Sequence, residues 1–267
     1  MISADEAVQW TTRLAGLCAA YMSVEVLIDR QHYADHGLLG WPVMRSRHRA
    51  LVASAMAPVV AALLRYPVFL AMMGARLVAG LVLAALAPSG DLRTALLALT
   101  LVANLLFQLR TAFGTDGADQ MNTLTLGALV VDAVSNSALV RAAALWFLAL
   151  QLVLSYFIAG VAKLRGEEWR QGRAPTLIFS TRMYGVPPFG RWLGQHPRVS
   201  WLMAWTVIVT ETSYPLVFVA PPSLAMAIMA GGLGFHVFTA FTMGLNTFFW
   251  AFTAAYPALI WCVLPSA

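Results

Sequence analysis

Six ionisable side chains stand in or at the edge of long apolar runs, and they are where chemistry can reside. Glu25, Arg76, Asp132, Glu211 and His236 lie inside such runs, and Lys163 closes one. Charged groups in hydrocarbon are costly, so they face a bundle interior or a cavity and take partners. Arg76 reads as a counter-ion for Glu25, Asp132 or Glu211. Asp132 lies near the end of its run, where water can reach it. Glu211 precedes Tyr214-Pro215, where a proline kink frees backbone groups that polar neighbours satisfy. His236 sits in GGLGFHVFTAFTMGLNTFF, with small residues at 231, 232 and 234 that permit close helix approach. That favours a packed, hydrogen-bonded histidine. No second histidine stands three or four residues on, so no metal site is expected.

Lys163 admits two readings. It ends QLVLSYFIAGVAKL and is followed by Arg165, Glu167, Glu168 and Trp169. As an interfacial anchor its stem would lie in lipid while the ammonium snorkels to water. As a general base it would need to be held out of water, because a desolvated amine favours its neutral, proton-accepting form.

The elements that carry these residues follow from composition. Of 267 residues, 60% are hydrophobic and 11% charged, against about 25% charged in soluble domains. With 17 basic and 12 acidic residues the chain cannot clothe a soluble surface of its size. Disorder, collagen and coiled coil are excluded by the same figures. The class is an all-α, polytopic transmembrane helical bundle whose first partner is the lipid bilayer. The net charge of +5 fits cytoplasmic loops rich in Lys and Arg. No basic run is interleaved with exposed aromatics, so no nucleic-acid partner is expected. Cys18 and Cys262 stand singly, which argues against disulfide scaffolds, zinc sites and CxxC chemistry. Asp5 and Glu6 occupy the place where a signal peptide carries positive charge, so the first helix is expected to insert uncleaved.

A helical span needs about 20 apolar residues. The pattern predicts eight, at 8–28, 66–87, 92–113, 119–136, 138–162, 198–219, 223–244 and 246–264. Segment 50–64 is too short to span and contains Pro58, so it reads as an interfacial or re-entrant helix. Pro88-Ser89-Gly90-Asp91 reads as a turn with Asp91 capping the next helix, and DGADQM (116–121) as a polar turn. Loop 29–49 and segment 163–198 carry most of the 17 basic residues. With four spans between them they share a face, which the positive-inside rule places in the cytoplasm with both termini outside. Segment 163–198, with Trp169, Tyr184, Phe189 and Trp192, suits short interfacial helices. One domain, 1–267, with no soluble appendage is the expectation.

The stretch YFIAGVAKLRGEEWRQGRA (156–174) resembles the signature of the vitamin K-dependent γ-carboxylases and their bacterial relatives, the HTTM (horizontally transferred transmembrane) domain proteins. Tyr156, Phe157, Ala159, Gly160, Lys163, Leu164, Trp169 and Gly172 carry the likeness. His236 with Met243-Gly244 and Phe248, and Glu211 with Pro215 and Leu216, match more loosely. The resemblance implies a bacterial inner-membrane protein and a reduced naphthoquinone, a vitamin K-type quinol, as cofactor. It implies Lys163 as the base that deprotonates this quinol, assisted by His236 and Glu211, with Tyr156, Trp169 and Phe248 against the ring. In the carboxylases the quinol anion reacts with oxygen, a glutamate γ-carbon is deprotonated and carboxylated, and the quinone leaves as its epoxide. Those enzymes also carry an extramembrane region for the peptide. None is expected after the last span here. A separate protein substrate or partner is a further expectation. From other classes, Glu25, Arg76, Asp132 and Glu211 could serve a transporter or proton relay, and segment 163–198 could dock a soluble protein or anionic lipid.

Overall fold

The computed structural model describes residues 2–110 and 117–264. It is all-α, with no strand among the described residues. The helices gather into two compact units, one from Ala4 to Ala144 and the other from Leu145 onward. Among the described residues five helices are long and apolar enough to cross a membrane: Ala4–Ile28, Tyr66–Leu86, Gly90–Gln108, Ala138–Arg165 and Pro222–Met243. This is the pattern of an integral membrane protein.

The first unit holds α1 (Ala4–Ile28), α2 (Trp41–Met44), α3 (Arg49–Val52), α4 (Ala57–Leu64), α5 (Tyr66–Leu86), α6 (Gly90–Gln108), α7 (Gly117–Ser135) and the start of α8 (Ala138–Arg165). Asp5 and Glu6 in the first turn of α1 suit the positive end of its dipole. Helices α1 and α5 touch backbone to backbone, for a side chain at Gly16 would meet the Gly80 carbonyl at 2.6 Å. Dispersion between small residues holds such a crossing where lipid offers no hydrophobic drive. The interior is mostly apolar, with Phe69, Met73, Leu83 and Leu126 fully buried, but Arg76, Asn104, Asn122 and Asp132 are buried with them, whereas Val78, Leu81, Leu105 and Val131 are exposed. Hydrocarbon around the bundle fits this arrangement, because it can solvate no polar group.

Two arginines organise this unit. Arg76 donates to Ser23 Oγ at 2.8 Å and to Asn104 Oδ1 at 3.3 Å, and its guanidinium lies 5.1 Å from the Phe107 ring centre. Among the described residues the expected carboxylate counter-ion is not one of its hydrogen-bond or ionic partners. Glu25 is exposed and accepts from the Tyr21 hydroxyl, Asp132 pairs with Arg93 and Arg141, and Glu211 pairs with Lys163. One hydroxyl and one amide oxygen take part of the charge instead, and Nη2 has no partner among the described residues. Arg110, which the sequence did not single out, donates to the carbonyls of Tyr33, Leu39 and Leu64. It so ties the 29–65 connection to the end of α6.

Several expectations are corrected. Asp132 is buried between two arginines rather than wet. Asp91 lies inside the first turn of α6, whose N-cap is Ser89. The turn expected at 116–121 is helical from Gly117, which opens α7; Asp116 and residues 111–113 of the third expected span lie outside the described residues. Segment 50–64 breaks into α3 and α4 around Ala53–Met56.

The second unit holds the rest of α8, then α9 (Glu167–Arg170), α10 (Ala174–Ser180), α11 (Pro187–Gln195), α12 (Pro197–Thr212), α13 (Pro222–Met243), α14 (Asn246–Thr253) and α15 (Tyr256–Val263). The expected span 198–219 is α12 followed by a 3-10 turn at Tyr214–Phe218, so the break falls after Glu211, at Pro215. The expected span 246–264 is two eight-residue helices parted at Ala254–Ala255. Pro257 in the first turn of α15 cannot donate a helical hydrogen bond to α14, so the two do not fuse. Between α8 and α12 the expected short helices are present as α9, α10 and α11.

Candidate functional site

Tyr156, Gly160 and Lys163 follow one another at helical spacing along one face of α8. That face meets α12 at Gly160, where an added side chain would lie 2.6 Å from the Thr212 nitrogen and 2.8 Å from Glu211 Cβ. Only glycine lets the two backbones approach so closely. One turn on, the approach brings Lys163 Nζ to 2.6 Å from Glu211 Oε2. The lysine side chain is 20% exposed and the glutamate 4%. The Trp169 ring centre, on α9, stands 5.4 Å from the same nitrogen and offers its negative face to the cation. Lys163 therefore turns inward to a carboxylate and an aromatic ring.

His236 projects from α13 and is buried. Neither ring nitrogen has a hydrogen-bond partner among the described residues, which departs from the packed, hydrogen-bonded histidine expected. Its ring is 5.5 Å from Tyr156, 4.4 Å from Phe252 and 6.4 Å from Phe248, centre to centre. A buried polar group without a partner is rare and costly, and it points to a ligand or water that completes it.

These side chains enclose one cavity of about 290 Å³. Lys163, Glu211, His236, Tyr156, Trp169 and Phe248 all line it, so the six candidates from α8, α9, α12, α13 and α14 converge. Phe179 of α10 and Phe252 of α14 line it too. Neither was foreseen, although Phe252 stands one turn from Phe248 and so shares its face.

A buried tyrosine cluster that the sequence reading passed over backs the cavity. The Tyr256 hydroxyl donates to the Met229 carbonyl at 3.1 Å. Having one proton, it must accept from Tyr156 at 3.0 Å and from Tyr214 at 2.7 Å. The rings of Tyr156 and Tyr214 stack at 3.9 Å. The hydroxyl of Tyr156 is thus engaged in the cluster, and what it offers the cavity is its ring. Gly232 lies against the Tyr214 hydroxyl and 2.8 Å from that of Tyr256, counted from where its side chain would begin.

Chemically the cavity combines an amine–carboxylate pair, an imidazole free to bond and aromatic walls. Such a site suits a flat apolar ring with an ionisable hydroxyl placed beside Lys163. No group of three or more His, Cys, Asp or Glu among the described residues is placed to hold a metal ion. Glu25, Arg76 and Asp132 belong to the first unit, each with its own partners there. The chain matches no family model, no curated protein and no solved structure.

Proposed function

We propose that the chain is a membrane-embedded, quinol-dependent enzyme of the HTTM and γ-carboxylase type, with Lys163 as general base. The observation that carries the reading is the convergence of Lys163, Glu211 and His236 on one aromatic cavity. The 2.6 Å hydrogen bond between Lys163 and Glu211 spans the path of a single proton. Moving that proton turns the ion pair into a neutral amine beside a carboxylic acid, which relieves the cost of two desolvated charges. The neutral Lys163 amine then takes a phenolic proton within hydrogen-bond reach. Trp169 faces the ammonium so formed, and Glu211 passes its proton to solvent water and returns to its carboxylate, so that one proton in all leaves the site. His236 bonds the ring oxygen, while Tyr156 and Phe248 hold the ring plane. A reduced naphthoquinone, when bound, supplies that ionisable hydroxyl and the reducing power to react with oxygen.

In this reading eight spans are completed by α7, by α12 with its 3-10 extension, and by α14 and α15 together. The chain lies in a bacterial cytoplasmic membrane, with its basic segments on the cytoplasmic face and a separate protein as substrate or partner. The purified protein, given reduced naphthoquinone and oxygen, is expected to consume quinol with epoxide as the product found by mass spectrometry. A folded preparation that neither consumes quinol nor binds quinone would contradict the reading.

A further inference from the structure

A cavity of about 370 Å³ lies in the first unit, where its helices begin and end. The start of α1, the turn from α5 to α6 and residues on either side of the turn from α7 to α8 line it. Helices α1, α5, α6 and α8 are long enough to cross a membrane, and in a bilayer the ends of such helices lie at headgroup depth. Leu86, Leu92 and Leu139 each stand one or two residues from a lining position and are 70%, 57% and 79% exposed. Exposed apolar side chains thus border a polar cavity.

Asp5, Gln9 and Thr12 line the cavity at helical spacing along α1. Thr12 is 1% exposed, and its hydroxyl has no hydrogen-bond partner among the described residues. A buried polar group in that state points to a ligand or water that completes it. Arg93 gives Nη2 to Asp132, while Arg141 gives Nε to Asp132 and Nη1 to Asp5. Nε and Nη1 of Arg93 and Nη2 of Arg141 have no hydrogen-bond partner among the described residues. Ser89 and Gly90 add the N-terminus of α6, whose cap residue makes no side-chain bond to the first N–H groups. Donors of this kind suit a phosphate. Against the two arginines stand the carboxylates of Asp5 and Glu6 in the lining and of Asp132 behind it, so the balance of charge is negative.

We propose that this cavity binds the headgroup of a zwitterionic phospholipid that carries a primary amine. The phosphate takes the remaining nitrogens of Arg93 and Arg141 and the N-terminus of α6, and the ammonium takes the carboxylates of Asp5 and Glu6. The negative balance selects against an anionic headgroup, which arginines alone would attract. A quaternary ammonium has no N–H to donate to a carboxylate, so it fits less well. The exposed leucines at the rim select a lipid over a free phosphate ester, because they leave a place for acyl chains in the bilayer. The site is independent of the Lys163 cavity and of the quinol reading.

The test is native mass spectrometry of the purified protein after exchange into equal amounts of phosphatidylethanolamine, phosphatidylcholine and phosphatidylglycerol with identical acyl chains. The ethanolamine lipid is expected to be retained at least about fivefold over either of the others. In Asp5→Asn combined with Glu6→Gln, its advantage over the choline lipid should fall to within about twofold, and retention of the glycerol lipid should rise. Unchanged retention of the choline lipid and an unchanged circular dichroism spectrum report that this variant is folded. Glu6→Gln alone leaves the Asp5–Arg141 pair in place and should lose part of the advantage, which keeps the test open if the double variant does not fold. Equal retention of the three lipids, preference for the glycerol lipid, or an ethanolamine preference that survives the substitutions overturns the site. Soluble glycerophosphoethanolamine at the same concentration should displace none of the lipid. Its binding in place of the lipid would make the ligand a free phosphate ester and overturn the lipid assignment.

Discussion

Replacing Asp132 with alanine should destabilise the protein by about 3–5 kcal/mol, the cost of breaking a buried ion pair from one side. The Asp132 side chain is wholly buried and accepts from Arg93 Nη2 at 2.8 Å and from Arg141 Nε at 3.2 Å. Arg141 keeps a second carboxylate, Asp5, but Asp5 is 78% exposed and water screens its pull. Arg93, 15% exposed, would lose its only ionic partner among the described residues. The carboxylate joins α6, α7 and the start of α8, so its loss should act on the first unit as a whole. Denaturant unfolding in detergent measures the effect. Asp132→Asn, which keeps one acceptor, should recover part of the loss, and a change below about 1 kcal/mol in Asp132→Ala would mean the pair is solvated.

Gly160→Leu should uncouple Lys163 from Glu211. The first carbon of the new side chain already falls 2.6 Å from backbone, and backbone cannot rotate aside as a flexible side chain does. The helices must part, at about 1–3 kcal/mol or more. The 2.6 Å lysine–glutamate hydrogen bond would lengthen with them. A displacement of about 1 Å at such a pair can cost about 100-fold in rate. Quinol turnover should therefore fall about 100-fold or more in a variant that still folds. Ile158→Leu, two residues away and 57% exposed, is the control and should leave both stability and turnover unchanged. Normal turnover in Gly160→Leu would show that the contact is not needed.

The sequence and the structure agree where one periodicity governs. The long runs at 66–87 and 223–244 are helices over almost the same residues, α5 and α13, because apolar length alone decides them. Agreement fails where a single residue competes with the pattern. Pro257 divides the last run into α14 and α15, and Pro215 ends α12 early; hydropathy alone does not register a missing backbone donor. Lys163, Glu211 and His236 stood out in the sequence as ionisable groups in apolar runs, and Tyr156, Trp169 and Phe248 through the resemblance alone. Their meeting at one cavity is a property of the fold. The backing of that cavity left no mark in the sequence. Tyr214 and Tyr256 read as ordinary apolar aromatics, and only the fold brings their hydroxyls together with that of Tyr156. Arg110 escaped notice for a similar reason. Its partners are backbone carbonyls, and no residue type in the sequence marks them.

The reading turns on whether Lys163 gives up and takes a proton or merely supplies positive charge. Lys163→Arg separates these roles, since a guanidinium keeps the cation beside Glu211 but stays protonated at any working pH. The decisive measurement is the rate of oxygen-dependent quinol consumption by the Lys163→Arg variant beside the wild type, with quinone binding measured on the same samples. A general base predicts a rate lower by about 100- to 10,000-fold with binding retained. A variant that binds quinone and turns over quinol at the wild-type rate would contradict the account and leave Lys163 as a structural cation.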